Sequence, residues 1–118
     1  MSVLSERDLD YLASILDHCD RIAEARNRFG DSSEAFLADA DYRDVVMMNL
    51  FQIGEAANLL SDECKETINQ VPWHQIYGMR NRIAHAYAKV EDAIIWQTAA
   101  NDIPMLKESI LDHTGNLL

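Results

Sequence analysis

Glycine and proline are scarce in this chain, four and two in 118 residues. That leaves little turn chemistry for a β-sandwich, whose strands must reverse after about ten residues each. Cysteine is scarcer in effect than in number. Cys19 and Cys64 form neither a CxxC pair nor a zinc-type cluster, so both read as reduced core residues. No run approaches the ~18 apolar residues that a membrane span needs. The opening MSVLSERDLD has neither the basic nor the apolar region of a secretion signal, which predicts a cytoplasmic protein without membrane contact. There is no phosphate-cradling glycine loop and no Ser–His–Asp pattern. His18, His74 and His113 have no ligand-like spacing, so neither a metal nor a cofactor is expected. Positive charge is also short, with 10 Lys and Arg against 20 Asp and Glu. A net charge of −10 argues against a generic nucleic-acid coat protein, although it leaves room for one small basic site.

The remaining residues follow a helical period nearly throughout. Ser5, with Asp8 three residues on, marks a helix start with acids in its first turn. Leu9, Leu12, Leu16, Cys19 and Ala23 form an apolar row, and Gly30 ends that helix. Residues 31–41 are acidic and turn-like, with a helical turn expected around Glu34–Ala38. A second long helix is predicted from Tyr42 to Leu60, with Tyr42, Val46, Leu50, Ile53, Ala57 and Leu60 inward. Val45, Met48, Phe51 and Leu59 widen its apolar surface, as a central bundle helix or a subunit interface would require. Ser61–Gln70 reads as a short helix or loop. Pro72 falls in the first turn of a helix with the row Trp73, Ile76, Arg80, Ile83 and Tyr87. Glu91 and Asp92 open the last helical segment, with Ile94, Ile95, Thr98, Met105 and Leu106 inward. Pro104 predicts a kink near Ala100–Ile103. The expected fold is one all-α domain over 1–118, an antiparallel four-helix bundle with one or two extra short helices.

From Thr67 to Val90 the chain holds no acidic residue, and this window carries +3 with its histidines neutral, leaving −13 for the remainder. Inside it lies Arg80-Asn81-Arg82-Ile83-Ala84-His85-Ala86-Tyr87. A cationic island on an acidic body suits an anion, phosphate above all. A guanidinium matches phosphate oxygens with a planar fork of donors, and an imidazole titrates near neutrality, so it can take a proton from a ribose 2′-hydroxyl or give one to the leaving oxygen. Asn81 can orient His85 or bind phosphate, and Tyr87 offers a hydroxyl that could bind substrate or accept a modification. Arg82 lies about 200° from Arg80 and reads as a solvated charge; with Lys89 it is a weak substrate-binding candidate. Read singly, an exposed histidine, a surface arginine and a core tyrosine are the ordinary roles of such residues. Arg80 and His85 are five residues apart, or about 140° around an ideal helix. Joint action therefore requires that the helix end near His85 or that two copies combine.

The spacing Arg80-Asn81-x-x-x-His85-x-Tyr87 resembles that of HepT-like proteins of the HEPN superfamily. Ile53-Gly54-Glu55-Ala56-Ala57, Pro72-Trp73-x-x-Ile76-x-Gly78-Met79 and Ile103-Pro104-x-Leu106 fit the same family, so that the likeness covers roughly 40–113. The resemblance implies a small all-α homodimer that acts as an RNase toxin, and a minimal nucleotidyltransferase antitoxin as its partner. It implies Arg80 and His85 as the residues of RNA cleavage, with Asn81 beside them. It also implies Tyr87 as the hydroxyl that the antitoxin modifies with AMP from ATP. The stretch Gly30–Asp44 contributes no residue to that pattern.

Two functions follow as expectations. One is a metal-independent endoribonuclease toxin, with tRNA among its candidate substrates, silenced by AMPylation of Tyr87. The other is a non-catalytic helical module that binds a nucleotidyltransferase and its nucleotide. The acidic body suits such docking. A purely structural bundle would leave the acid-free island unexplained.

Overall fold

The structure, a computed structural model, describes residues 4–118. Helix α1 spans Glu6–Phe29. Ser5 caps it by accepting the Asp8 N–H at 3.0 Å, and Gly30 closes it at φ 119°, donating to Arg26 O. A side chain at Gly30 would be strained in that backbone region and would meet Ala35 Cβ at 2.8 Å. A short α2, Ser33–Leu37, turns the chain into α3, Ala40–Leu59. After α4, Asp62–Thr67, comes α5, Trp73–Ala86. A 3₁₀ turn at Tyr87–Lys89 leads to α6, Asp92–Gln97. A wide π turn at Thr98–Asp102 joins α6 to α7, Ile103–Thr114.

Cross-chain pairs give the directions of the long helices. Asp8 at the start of α1 meets Ser61 just past α3, His18 meets Asn49 midway, and Phe29 stacks on Tyr42 at the far end. Helices α1 and α3 are therefore antiparallel. Gly54 meets Arg80 while Arg43 and Asp44 meet Tyr87, so α3 and α5 are antiparallel as well. Helix α3 is thus the central one, packed on α1 and α5. The fold is the all-helical bundle expected, with α2 and α4 as the extra short helices.

The row predicted on α3 is buried at all six positions. The α1 row needs correction. The buried residues are Asp8, Leu12, Ile15, Cys19, Ile22 and Ala25, whereas Leu9 and Leu16 are half-buried and Ala23 is exposed. The helix offers two adjacent apolar rows, and contact with α3 selects the one containing both isoleucines. Of the last segment's expected row, Ile95 and Leu106 are buried, Ile94 and Thr98 are half-buried and Met105 is 66% exposed; Ala99, Ile103 and Ile110 complete the inner row. Pro72 caps α5 rather than lying inside its first turn. The Pro104 break takes the form of the π turn, in which the Ile103 N–H reaches back to Thr98 O and absorbs the mismatch caused by the proline.

Candidate functional site

Helix α5 approaches α3 most closely at a glycine. A Cβ on Gly54 would lie 2.2 Å from Arg80 Cβ, so the missing side chain is what lets the two backbones meet there. The contact sets Arg80 against α3. Its Nε–H donates to Glu55 Oε1 at 2.5 Å, and its Nη1 donates to Asn81 Oδ1 at 3.1 Å. The guanidinium carbon lies 5.1 Å from the Phe51 ring centre and 5.9 Å from that of Tyr77. Arg80 is the residue that interrupts the apolar row of α5, and Glu55 supplies the counter-charge that this placement demands. Its remaining donors stay available in a side chain that is 24% exposed.

His85 has a different setting. It is exposed near the end of α5, and among the described residues its imidazole makes no hydrogen bond or ion pair. Helix α5 continues to Ala86, so Arg80 and His85 remain about 140° apart around one axis. The helix does end near His85, one residue beyond it, but both residues lie on regular helix, so that end does not turn them toward each other. Asn81 and His85 do share a face, as their four-residue spacing requires.

Tyr87 leaves α5 for the 3₁₀ turn and docks on the start of α3. Its hydroxyl donates to Asp44 Oδ1, and the Arg43 guanidinium lies 5.4 Å from its ring centre. Partial burial, followed by the Asp44 carboxylate, raises the phenol above its ordinary pKa, and Arg43 opposes that rise. Tyr87 is still 42% exposed, so an incoming group can reach it. Arg80 and Tyr87 thus both turn toward α3, where the residues they meet, Gly54 and Asp44, lie about 15 Å apart along the helix at 1.5 Å per residue.

Arg82 points the other way and lines a groove of about 660 Å³ between α5 and the α6–α7 arm, whose walls include Met79, Ile94, Ile103 and Leu106. Lys89 is exposed on the 3₁₀ turn. The structure therefore brings Arg80 and Asn81 into contact, sets His85 one turn further along the Asn81 face without a hydrogen bond to either, and places Tyr87, Arg82 and Lys89 elsewhere.

Three partners of the site had no role in the sequence reading. Glu55 stood within the Ile53–Ala57 string, but that string does not show which cation it would answer. Arg43 and Asp44 both grip Tyr87, and both lie in Gly30–Asp44, the stretch that contributes no residue to the family pattern. The signal available in sequence was only the helical register of Arg43, Asp44, Phe51 and Glu55.

The all-helical bundle is of the HEPN type, and one of its helices carries a clamped arginine, an exposed imidazole and, just past its end, a gripped tyrosine. The chain belongs to the ribonuclease HepT-like family, whose model matches residues 15–112. A protein of Caldanaerobacter subterraneus that carries an RNase name is 36% identical over 100 residues, covering 85% of this chain and 88% of that one. A Thermococcus cleftensis protein named probable ribonuclease HepT is 33% identical over 98 residues, covering 83% and 87%. A Methanocaldococcus jannaschii protein with an RNase name is 28% identical over 108 residues, covering 91% and 97%. No solved structure matches the chain.

Proposed function

We propose that this single-domain chain is an endoribonuclease toxin of a two-gene toxin–antitoxin system. Family membership supports RNA as the substrate. One geometric observation carries the assignment of the site. Arg80 is held rigid by Glu55, Asn81 and two aromatic rings, while His85 on the same helix is left free for proton transfer. In this reading Arg80 binds the scissile phosphate and stabilises its developing charge. His85 takes the 2′-hydroxyl proton or protonates the leaving oxygen, and Asn81 orients the phosphate. These groups supply the proton transfers and charge stabilisation without a metal ion. Arg82 and Lys89 lend weaker contacts to the RNA backbone.

Because Arg80 and His85 face different directions on an unbroken helix, the working unit is a homodimer in which two copies share one cleft. The partner is a minimal nucleotidyltransferase antitoxin that transfers AMP from ATP to Tyr87. An adenylate there places a negative charge near the His85 end of the site and repels RNA phosphate. The exposed hydroxyl favours this reading.

The non-catalytic module remains the second reading, favoured by the fact that Glu55 already occupies one edge of Arg80. The deciding test is incubation with tRNA and total RNA in excess EDTA, with intact mass read on the same sample. Wild type should cleave, and Arg80→Ala and His85→Ala should each lose about 10²–10⁴-fold in rate while keeping the helical fold. Retained cleavage in both variants would remove the site from this mechanism. No cleavage by unmodified wild type would favour the binding module.

A further inference from the structure

The imidazole of His85 has no side-chain or backbone partner among the described residues. Its place is therefore set by the backbone that carries it, which is the last turn of α5. The segment that follows it, the 3₁₀ turn Tyr87–Lys89 and Val90, is held by a donor from another helix. That donor is Arg43, in the first turn of α3. Its Nη2 donates to the Tyr87 carbonyl at 3.2 Å and to the Val90 carbonyl at 3.0 Å, while its Nε–H pairs with Asp92 at the start of α6. Its side chain is only 18% exposed. The Val90 N–H in turn closes on the Ala86 carbonyl at 3.1 Å. One guanidinium thus ties down three points of the segment immediately after His85. Helix α3 also anchors Arg80, through Gly54 and Glu55. The same helix therefore registers both groups assigned to cleavage.

We propose that Arg43 is a positioning residue for His85, acting through the carbonyls of the turn at Tyr87–Val90. The inference rests on the assignment of His85 to RNA cleavage. A lysine retains the charge but offers one compact ammonium where three acceptors lie around a planar fork, so it cannot hold the turn in the same way.

The test is cleavage of tRNA in EDTA at a temperature where every variant is folded, comparing wild type, Arg43→Lys, Asp92→Asn and His85→Ala. Arg43→Lys should lower kcat by about 10–100-fold with KM changed less than about twofold, because misplacing the imidazole costs the transition state and not RNA binding. The His85 ring resonances should shift or broaden in this variant relative to wild type. Asp92→Asn loosens the anchor but keeps the carbonyl contacts, and should lower kcat by a smaller factor. Wild-type kcat in Arg43→Lys, with His85→Ala inactive, would overturn the inference alone. If Arg43→Lys does not fold, wild-type kcat in Asp92→Asn overturns it. A His85→Ala variant that cleaves like wild type, or a wild type that does not cleave, would bring down the site assignment and this inference together.

Discussion

Arg80 illustrates what a charged residue needs when it sits in an apolar row. Its guanidinium is partly desolvated against Phe51 and Tyr77, and Glu55 answers it across the helix contact. In the proposed site a phosphate would join a pair whose geometry Glu55 already sets, so Arg80 needs little reorganisation to receive it. Asp8 is the other acid whose surroundings were not evident from its position. It reads as a first-turn acid, yet it is buried and accepts the Ser61 N–H at 2.9 Å and the Ser61 hydroxyl at 2.6 Å. Burial pushes its carboxyl upward, but the hydrogen bonds from Ser61 outweigh that and leave its pKa lowered from 3.8. The unfolded chain therefore binds this proton more readily, so the stabilisation is present above pH 3.8 and is lost as pH falls through the folded value. Asp8→Asn should cost about 1–3 kcal/mol near pH 7, and the gap to wild type should narrow below pH 3.8. Urea unfolding at several pH values measures this, and a gap independent of pH would contradict it. Neither the Glu55 nor the Asp8 pairing could be read locally, because the partners lie 25 and 53 residues away.

At the scale of elements, the contact between α3 and α5 dominates the site. It depends on Gly54, where a Cβ would overlap both Cβ and Cγ of Arg80. Gly54→Ala would ordinarily favour a helix by about 0.5–1 kcal/mol. Here the overlap should reverse the sign, destabilising the protein by about 1–3 kcal/mol, and cleavage should fall with the displaced Arg80. Unchanged stability together with unchanged cleavage would show that the helices separate at no cost. The elements themselves were largely legible. Ser5, Gly30 and Pro104 acted as caps and breaker within a residue of where their chemistry places them, and the whole α3 row was correct. What failed was the choice between adjacent rows on α1, because periodicity gives the period of a helix but not which of two apolar faces a neighbour covers.

For the whole molecule, the question is what a second copy would add. Met48, Leu59 and Met105 remain exposed at 59, 47 and 66%, and the α5 to α7 groove is apolar along much of its wall. Arg80 and His85 are turned apart on one helix, and in the proposed dimer a cleft would take one of them from each copy. Light scattering at micromolar concentration should give a mass near twice 13.4 kDa. A value near 13.4 kDa would require the two groups to act from a single copy.

Local information in the chain determined the helices, their caps, the acid-free island and the residue types of the site. Each of these follows from spacing, backbone preference or composition within a few turns of helix. Only the tertiary structure decided that Glu55 holds Arg80, that Arg43 and Asp44 grip Tyr87, and that His85 has no partner among the described residues. The physical reason is that these pairings depend on how α3 and α5 are set against each other. That register is fixed by close packing at Gly54, between residues 25 or more positions apart in the chain.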